Sequence, residues 1–125
     1  MRDLERIHDC KLLRMTYEPK DDGRRSLHLL ISCPDDLGYE PWDGQNLQIM
    51  LSDVAALRCT AWGISTGPET IDAIRFGVSD VLLRETERSK LAGIRFPTLQ
   101  MLFALHSGSQ IEVIADRYDL LVVGS

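Results

Sequence analysis

The fold is decided by residues 13–32, which read LRMTYEPKDDGRRSLHLLIS. Apolar side chains occupy every second position over residues 13–17 and again over residues 27–31, on either side of a polar segment at residues 20–25. Alternation of period two predicts a strand with one buried face, and the polar segment predicts a turn. This stretch therefore predicts two strands joined as a hairpin.

The apolar faces of the two strands select the register of this hairpin. Matching them places Tyr17 opposite Leu29. It also places Met15 opposite Ile31, and it requires an odd loop of three or five residues around Gly23. A two-residue turn would put the apolar sets on opposite faces. Burial of several large side chains, at about 1.5–3 kcal/mol each, outweighs the preference of an Asp-Gly pair for such a turn.

The C-terminal part of the chain repeats the pattern. Apolar side chains alternate over residues 99–105 and 111–115, on either side of a Ser-Gly-Ser turn at residues 107–109. Matching the apolar faces places Leu105 opposite Ile111 and leaves a loop of three residues. We therefore expect a second hairpin.

The middle of the chain carries shorter signals. Alternation over residues 47–51 and 55–59 indicates two short strands or one bent strand. Residues 67–70 have the composition of a helix start, since Pro is favoured at the first helical position and Glu in the first turn. Mixed charges over residues 80–91 indicate a short surface helix, with a strand and a solvated loop as the alternative. The apolar residues 120–123 predict a last strand or a docked tail.

Together these elements predict a mainly β (α+β) protein with a single domain over residues 1–125. The expected architecture is an antiparallel sheet of six to eight strands built from hairpins, with one or two short helices. A helical middle between two groups of strands does not suit a parallel βαβ sheet. A sandwich and a half-barrel both satisfy the pattern.

Charge and hydropathy exclude several classes of partner. The chain has 125 residues, of which 14 are basic and 19 acidic, for a net charge of −5. Because affinity for phosphate rests on Lys and Arg, an acidic chain with no basic block predicts no binding of nucleic acid or anionic membranes. No apolar run approaches 18 residues, and residues 1–6 lack the apolar stretch of a signal peptide. We therefore expect a cytoplasmic protein.

The three cysteines, Cys10, Cys33 and Cys59, are far apart in the sequence and form no C-x-x-C motif. An odd number of widely spaced cysteines argues against a disulfide framework and against a zinc site built from cysteine pairs. We expect reduced, buried thiols.

The segment His8-Asp9-Cys10 is the alternative catalytic candidate, because it offers an acid, a base and a nucleophile. Neighbouring residues of a strand point to opposite faces, so His8 and Asp9 meet only at a bend. No catalytic, nucleotide-binding or metal-ligand motif occurs, so the sequence predicts no metal and no cofactor. His28 is expected on the outward face of the first hairpin, opposite Glu18.

The long connection over residues 33–46 is the main binding candidate. It carries Tyr39, Glu40, Trp42 and Asp43. Long connections without repeating structure are often functional. Aromatic rings among carboxylates suit a protein partner with a basic surface, because rings supply contact area and charges steer association. The alternative is that the tryptophan covers the core while the acids are solvated.

Three segments resemble small bacterial β-rich proteins of uncharacterised function, some of them similar to the immunity proteins that neutralise bacterial toxins. They are residues 7–13 (IHDCKLL), 51–58 (LSDVAALR) and 105–113 (LHSGSQIEV). The resemblance leaves residues 60–95 uncovered. It implies a bacterial cytoplasmic protein and carries over no catalytic residue.

The sequence thus predicts a non-enzymatic binding module, similar to an immunity protein, that holds a protein partner through the acidic aromatic connection. One alternative is a small enzyme that uses His8, Asp9 or Cys10. The other is a self-associating subunit, a homodimer paired through a sheet edge or through residues 120–123.

Overall fold

The computed structural model describes residues 4, 7–19, 23–35, 42–60, 69–93 and 97–124. Within these residues the chain forms eight strands and one helix. The strands are β1 (Cys10–Pro19), β2 (Arg25–Ser32), β3 (Asn46–Ser52), β4 (Ala56–Thr60), β5 (Glu69–Arg75), β6 (Leu99–Leu105), β7 (Gln110–Ala115) and β8 (Arg117–Gly124), and the helix is α1 (Asp80–Leu91). All paired strands are antiparallel. The predicted mainly β, antiparallel fold is confirmed.

The strands form one open sheet in the order β4-β7-β6-β5-β1-β2-β3-β8. Two short links join opposite ends of this order: residues 53–55 connect β3 to β4, and Asp116 alone connects β7 to β8. Each link joins strands six positions apart, about 29 Å in a flat sheet, whereas three linking residues reach at most about 14 Å. The sheet therefore folds back on itself into two layers, β1-β2-β3-β8 and β5-β6-β7-β4.

One bent ribbon forms the corner between the layers. The β3–β4 segment runs antiparallel to the β7–β8 segment along its whole length. At the bend, Asp53 adopts a φ of 55°, and the backbone N–H of Asp116 donates to the carbonyl of Ser52 over 2.9 Å. Strands that pass from one layer to the other at such bends are typical of packed β-sheets.

The two layers enclose one hydrophobic core. Every second residue of β2, β3 and β6 points into it, as the alternation predicts. These fully or almost fully buried side chains are Leu27, Leu29, Ile31, Leu47, Ile49, Leu51, Met101, Phe103 and Leu105. Leu4 and Ile7, which precede β1, are buried in the same cluster.

The segment that precedes helix α1 is bound to the outer face of the β5-β6-β7-β4 layer. The segment before the helix is bound to β7, because Ser79 donates to the carboxylate of Glu112 through its backbone N–H (2.7 Å) and its hydroxyl (3.1 Å). Ile114, the next outward residue of β7, is also buried, as are Leu82 and Thr86 of the helix. We call this layer the covered layer and β1-β2-β3-β8 the bare layer. Among the described residues, no helix has the length and apolar character needed to cross a membrane.

Both predicted hairpins are present, with their apolar faces aligned. Residues 20–24 separate β1 from β2, and the hydrogen bond from Leu105 to Ser109 leaves residues 106–108 as the second loop, so both loops are odd in length. The predicted registers are wrong by two residues, since Tyr17 pairs with Leu27 and Phe103 pairs with Ile111. The glycine of each loop explains the shift. Gly23 and Gly108 have φ values of 84° and 93° and lie late in their loops rather than at the centre.

The first strand is less buried than predicted. A bulge at Leu13 interrupts the pairing of β1 with β2, and only Cys10 to Leu12 also pair with β5. Beyond the bulge the inner face of β1 lacks this second neighbour, so Leu13, Met15 and Tyr17 are each about 40% exposed. The expectation of a buried face along all of β1 was wrong at these positions.

The middle of the chain is partly as predicted. Residues 46–52 and 56–60 form two strands rather than one. Glu69 and Thr70 begin β5, so the helix start expected at residues 67–70 is wrong there, while Gly67 and Pro68 lie outside the described residues. Residues 80–91 form the helix α1, and residues 120–123 lie in a last strand.

Candidate interaction surface

The two sides of the long connection between β2 and β3 come together at its base. We call this base, residues 33–35 and 42–45, the neck. The backbone N–H of Cys33 donates to the carbonyl of Gln45 (2.9 Å), and that of Gly44 donates to Pro34 (3.2 Å). Gly44 has a φ of 72°, and the carboxylate of Asp35 lies where a side chain at residue 44 would stand. These contacts hold the two sides of the connection together and so fix the positions of Trp42 and Asp43.

The neck presents two of the four predicted binding residues. Trp42 is half-buried and packs against the core, as the alternative interpretation of this loop anticipated. Asp43 is also half-buried, and Asp35 on the facing side is exposed. Tyr39 and Glu40 lie outside the described residues. The neck therefore brings two carboxylates and one edge of an indole to the end of the bare layer.

Strand β8 lies beside this neck. Leu121 pairs with Gln48, and Gly124 pairs with Asn46, the residue that follows the neck. β8 ends the strand order, and no described strand pairs with its outer side. Three consecutive aliphatic side chains on this edge, Leu121, Val122 and Val123, are 50%, 47% and 45% exposed. Such an edge offers unpaired backbone N–H and C=O groups together with apolar contact area.

A shallow groove on the outer face of the bare layer adjoins the same strand. Its volume is about 360 Å³, and it is lined by Arg14, Thr16, Glu18, His28, Leu30, Gln48 and Val123. The predicted outward position of His28 is correct, although Thr16 rather than Glu18 stands opposite it. Polar and apolar side chains are thus combined on one face.

His28 is held at the centre of this groove. The side-chain amide of Gln48 donates to Nδ1 of His28 over 3.1 Å. Because Nδ1 accepts, the ring proton lies on Nε2, which is 3.3 Å from the Ser26 hydroxyl and 3.8 Å from the Glu18 carboxylate. These contacts orient the imidazole but give it no adjacent nucleophile.

The alternative catalytic candidates do not converge on one point. Asp9 has a φ of 60°, and this bend lets its carboxylate meet Nδ1 of His8 at 2.9 Å, with both side chains exposed. The thiol of Cys10 is fully buried and donates to Cys33 instead. The structure therefore separates an exposed His–Asp pair from a buried thiol.

Cys10 and Cys33 form a buried pair that their sequence spacing did not predict. Their sulfur atoms are 3.3 Å apart. The hydrogen bond to Cys33, together with burial, raises the pKa of Cys10 well above its usual value, and the same bond lowers the pKa of Cys33 although burial opposes it. Only the strand register, which places residue 10 opposite residue 33, could have revealed this contact.

The buried charge of the covered layer is fully satisfied. Glu112 is completely buried, and Arg58 donates to its carboxylate over 3.0 Å in addition to the two Ser79 contacts. Burial acts to raise the pKa of Glu112, but these hydrogen bonds outweigh it and hold the pKa below its usual value. This cluster anchors the start of α1 and presents no open coordination site. Within the described ranges, no group of three His, Cys, Asp or Glu side chains is placed to hold a metal ion.

No family model matches this chain, and neither a curated protein nor a solved structure matches it.

Proposed function

We propose that this chain is a non-enzymatic interaction module that binds a basic protein partner at the edge of the bare layer. The binding surface consists of Trp42 and Asp43 on the neck and of residues 121–123 on β8, and we call it the neck–edge surface. The observation that carries the proposal is the row of three half-exposed aliphatic side chains on an edge strand with no described neighbour.

An extended segment of the partner is the occupant that this edge fits. A strand added to β8 would pair with its unpaired backbone groups, and its alternating side chains would pack on Leu121 and Val123 on one face and on Val122 on the other. The outward side chains of such a strand would also lie beside the groove, which Val123 lines. Backbone pairing supplies affinity in this mode, and the groove supplies selectivity.

The charges around the edge favour a basic partner. Asp9, Asp35 and Asp43 lie at the end of the bare layer where the neck emerges, and the whole chain carries a net charge of −5. Complementary charge accelerates association and excludes acidic competitors. The resemblance of three segments to immunity proteins suggests a toxin as the kind of partner.

A selection from a random library of twelve-residue peptides tests the proposal with a defined probe. We expect enrichment of peptides in which aliphatic residues alternate and Lys or Arg is frequent. In the Val122→Lys variant their affinity should fall at least tenfold, or about 1.4 kcal/mol, because a lysine on the edge opposes strand addition. Val81→Lys is the matched control, since Val81 is 51% exposed on α1 of the covered layer.

The charge component has its own pair of variants. Asp43→Lys should slow the association of the basic peptides, and added salt should reduce the difference from the wild type. Glu87→Lys makes the same charge change on α1 and should leave association near the wild-type rate. Enrichment of acidic peptides, or binding that Val122→Lys does not weaken, would contradict the proposal. A stable dimer in light scattering that Val122→Lys dissolves would assign the edge to a second copy instead.

A further inference from the structure

The base of the neck holds two thiols in contact. Cys10 is the first residue of β1, and Cys33 directly follows β2. Lys11 pairs with Ser32, so the same register places Cys10 opposite Cys33. Directly opposite residues of antiparallel strands have Cα atoms about 4.5 or 5.5 Å apart, within the range of about 4.4–6.8 Å that a disulfide needs. With 3.3 Å between the sulfur atoms, the backbone already has the spacing of a crosslink.

Within the described part of the chain, the third cysteine has no such neighbour. Cys59 lies on the edge strand β4 and is exposed, whereas Cys10 and Cys33 are both buried. Contact, register and burial therefore single out one pair.

We propose that Cys10 and Cys33 are a modification site at which a small-molecule disulfide, such as oxidised glutathione, forms an intramolecular disulfide. The Cys33 thiolate attacks one sulfur of the small disulfide, which gives a mixed disulfide and releases one small thiolate. Cys10 then loses its proton and attacks the Cys33 sulfur, which releases the second small thiolate. Two protein thiols are oxidised, one small disulfide is reduced to two thiols, and the protons pass to the released thiolates.

Burial makes this reaction depend on opening of the neck. Cys33 is only 3% exposed, so the oxidant reaches it when the Cys33–Gln45 and Pro34–Gly44 hydrogen bonds break. Once formed, the disulfide joins the start of β1 to the first residue of the neck. The oxidised form therefore has a more rigid neck than the reduced form, whatever partner the chain binds.

The wild-type chain provides the direct test. Cleavage after Lys and Arg separates the three cysteines into peptides 7–11, 26–58 and 59–75. The folded protein is incubated with excess oxidised glutathione, the remaining thiols are alkylated, and the peptides are identified without reduction. We expect a linked pair of peptides 7–11 and 26–58, and we expect reduction to separate it.

Stability gives a second readout with matched variants. Oxidation should raise the Tm of the wild type and of Cys59→Ser by about 5 °C or more, and it should leave the Tm of Cys33→Ser unchanged. Peptides 7–11 and 26–58 that remain alkylated and unlinked, a crosslink that includes peptide 59–75, or a Tm that falls on oxidation would each overturn the proposal. The peptide readout needs no variant, so it decides the matter even if Cys33→Ser fails to fold.

Discussion

The two layers of the sheet share one core but differ on their outer faces. On the covered layer, Glu112 and Ile114 of β7 are buried, and Glu112 binds Ser79 in the segment before α1. On the bare layer, the corresponding outward residues, such as His28, Leu30 and Gln48, are half-buried and line a groove. Glu112 on the first face holds the segment before α1, whereas the polar side chains of the second face line the groove.

The two edge strands of the sheet differ in length and in the side chains that they expose. β4, the edge of the covered layer, is five residues long and includes Arg58, whose guanidinium binds Glu112. β8, the edge of the bare layer, is eight residues long and exposes three aliphatic side chains. Short, charged edges resist pairing with other strands and long apolar ones permit it. Face and edge thus both support the proposal that a partner binds at the bare layer.

The largest expected effect compares two adjacent leucines of β2. Leu29 is fully buried in the core, while Leu30 lies half-buried on the outer face of the bare layer. Leu29→Ala should lower the free energy of unfolding by about 3 kcal/mol, through lost burial and the cavity left behind. Leu30→Ala should cost less than about 1 kcal/mol. Denaturant unfolding measures both, and equal losses would mean that the outer face is not bare.

The buried carboxylate of the covered layer comes next. Glu112→Gln should lower the free energy of unfolding by about 2 kcal/mol, because it removes the charge that Arg58 and Ser79 bind in a buried site. Glu18→Gln, at an exposed position on the bare layer, should change it by less than about 0.5 kcal/mol. A much smaller loss of unfolding free energy in Glu112→Gln would show that the start of α1 is held by other contacts.

The same carboxylate makes stability depend on pH. The pKa of Glu112 is lower in the folded chain than its ordinary value of 4.5, so the unfolded chain binds its proton first as pH falls. The stabilisation is therefore complete above about pH 5 and is lost as pH falls through the folded pKa. As pH falls, the free energy of unfolding should decrease less steeply for Glu112→Gln than for the wild type. Identical slopes would contradict the assignment of this pH dependence to Glu112.

Substitution of two glycines, one in the β1–β2 loop and one before α1, should change the free energy of unfolding by a smaller amount. Gly23 has a φ of 84° in the β1–β2 loop of the bare layer, and Gly77 precedes α1 without a positive φ. Since no atom crowds either position, Gly23→Ala should cost about 1 kcal/mol through backbone strain alone. Gly77→Ala should be close to neutral or slightly stabilising. Thermal unfolding of the two variants provides the measurement.

The smallest expected effect is on stability at the proposed binding edge. Val122→Lys and Val81→Lys should each change the free energy of unfolding by less than about 0.5 kcal/mol, as is usual for exposed positions. A loss above about 1.5 kcal/mol for Val122→Lys alone would mean that Val122 packs inside the protein, and the neck–edge surface would then be unavailable.

Local alternation was enough to predict the strands and the faces of the two hairpins, because the two-residue period is a property of the backbone itself. It could not predict their registers, which depend on where in the loop the positive φ of Gly23 or Gly108 falls. It also missed β5, whose buried residues Ile71 and Ile74 are three positions apart because a bulge interrupts the pairing with β6.

The candidate site was less accessible to sequence reasoning than the fold. Trp42 and Asp43 were identified from composition, but their neighbours on β8 come from the far end of the chain, and only the strand order brings them together. The Cys10–Cys33 pair escaped prediction because it depends on the register of the first hairpin. Contacts between distant segments follow from topology, which a periodic pattern does not contain.

The bent ribbon has a consequence for how the chain acquires its structure. Arg58 and Glu112, which meet across it, are 54 residues apart, and β4 finds its described neighbour, β7, only after β5, α1 and β6 have been synthesised. Pairing at such separations is slow, since the entropy of closing a long loop is lost before any contact compensates it. We therefore expect the hairpins to form early. Pairing of the β3–β4 segment with the β7–β8 segment should limit the folding rate. During that delay we expect the side of β3 that later pairs with β8 to stay exposed on the nascent chain.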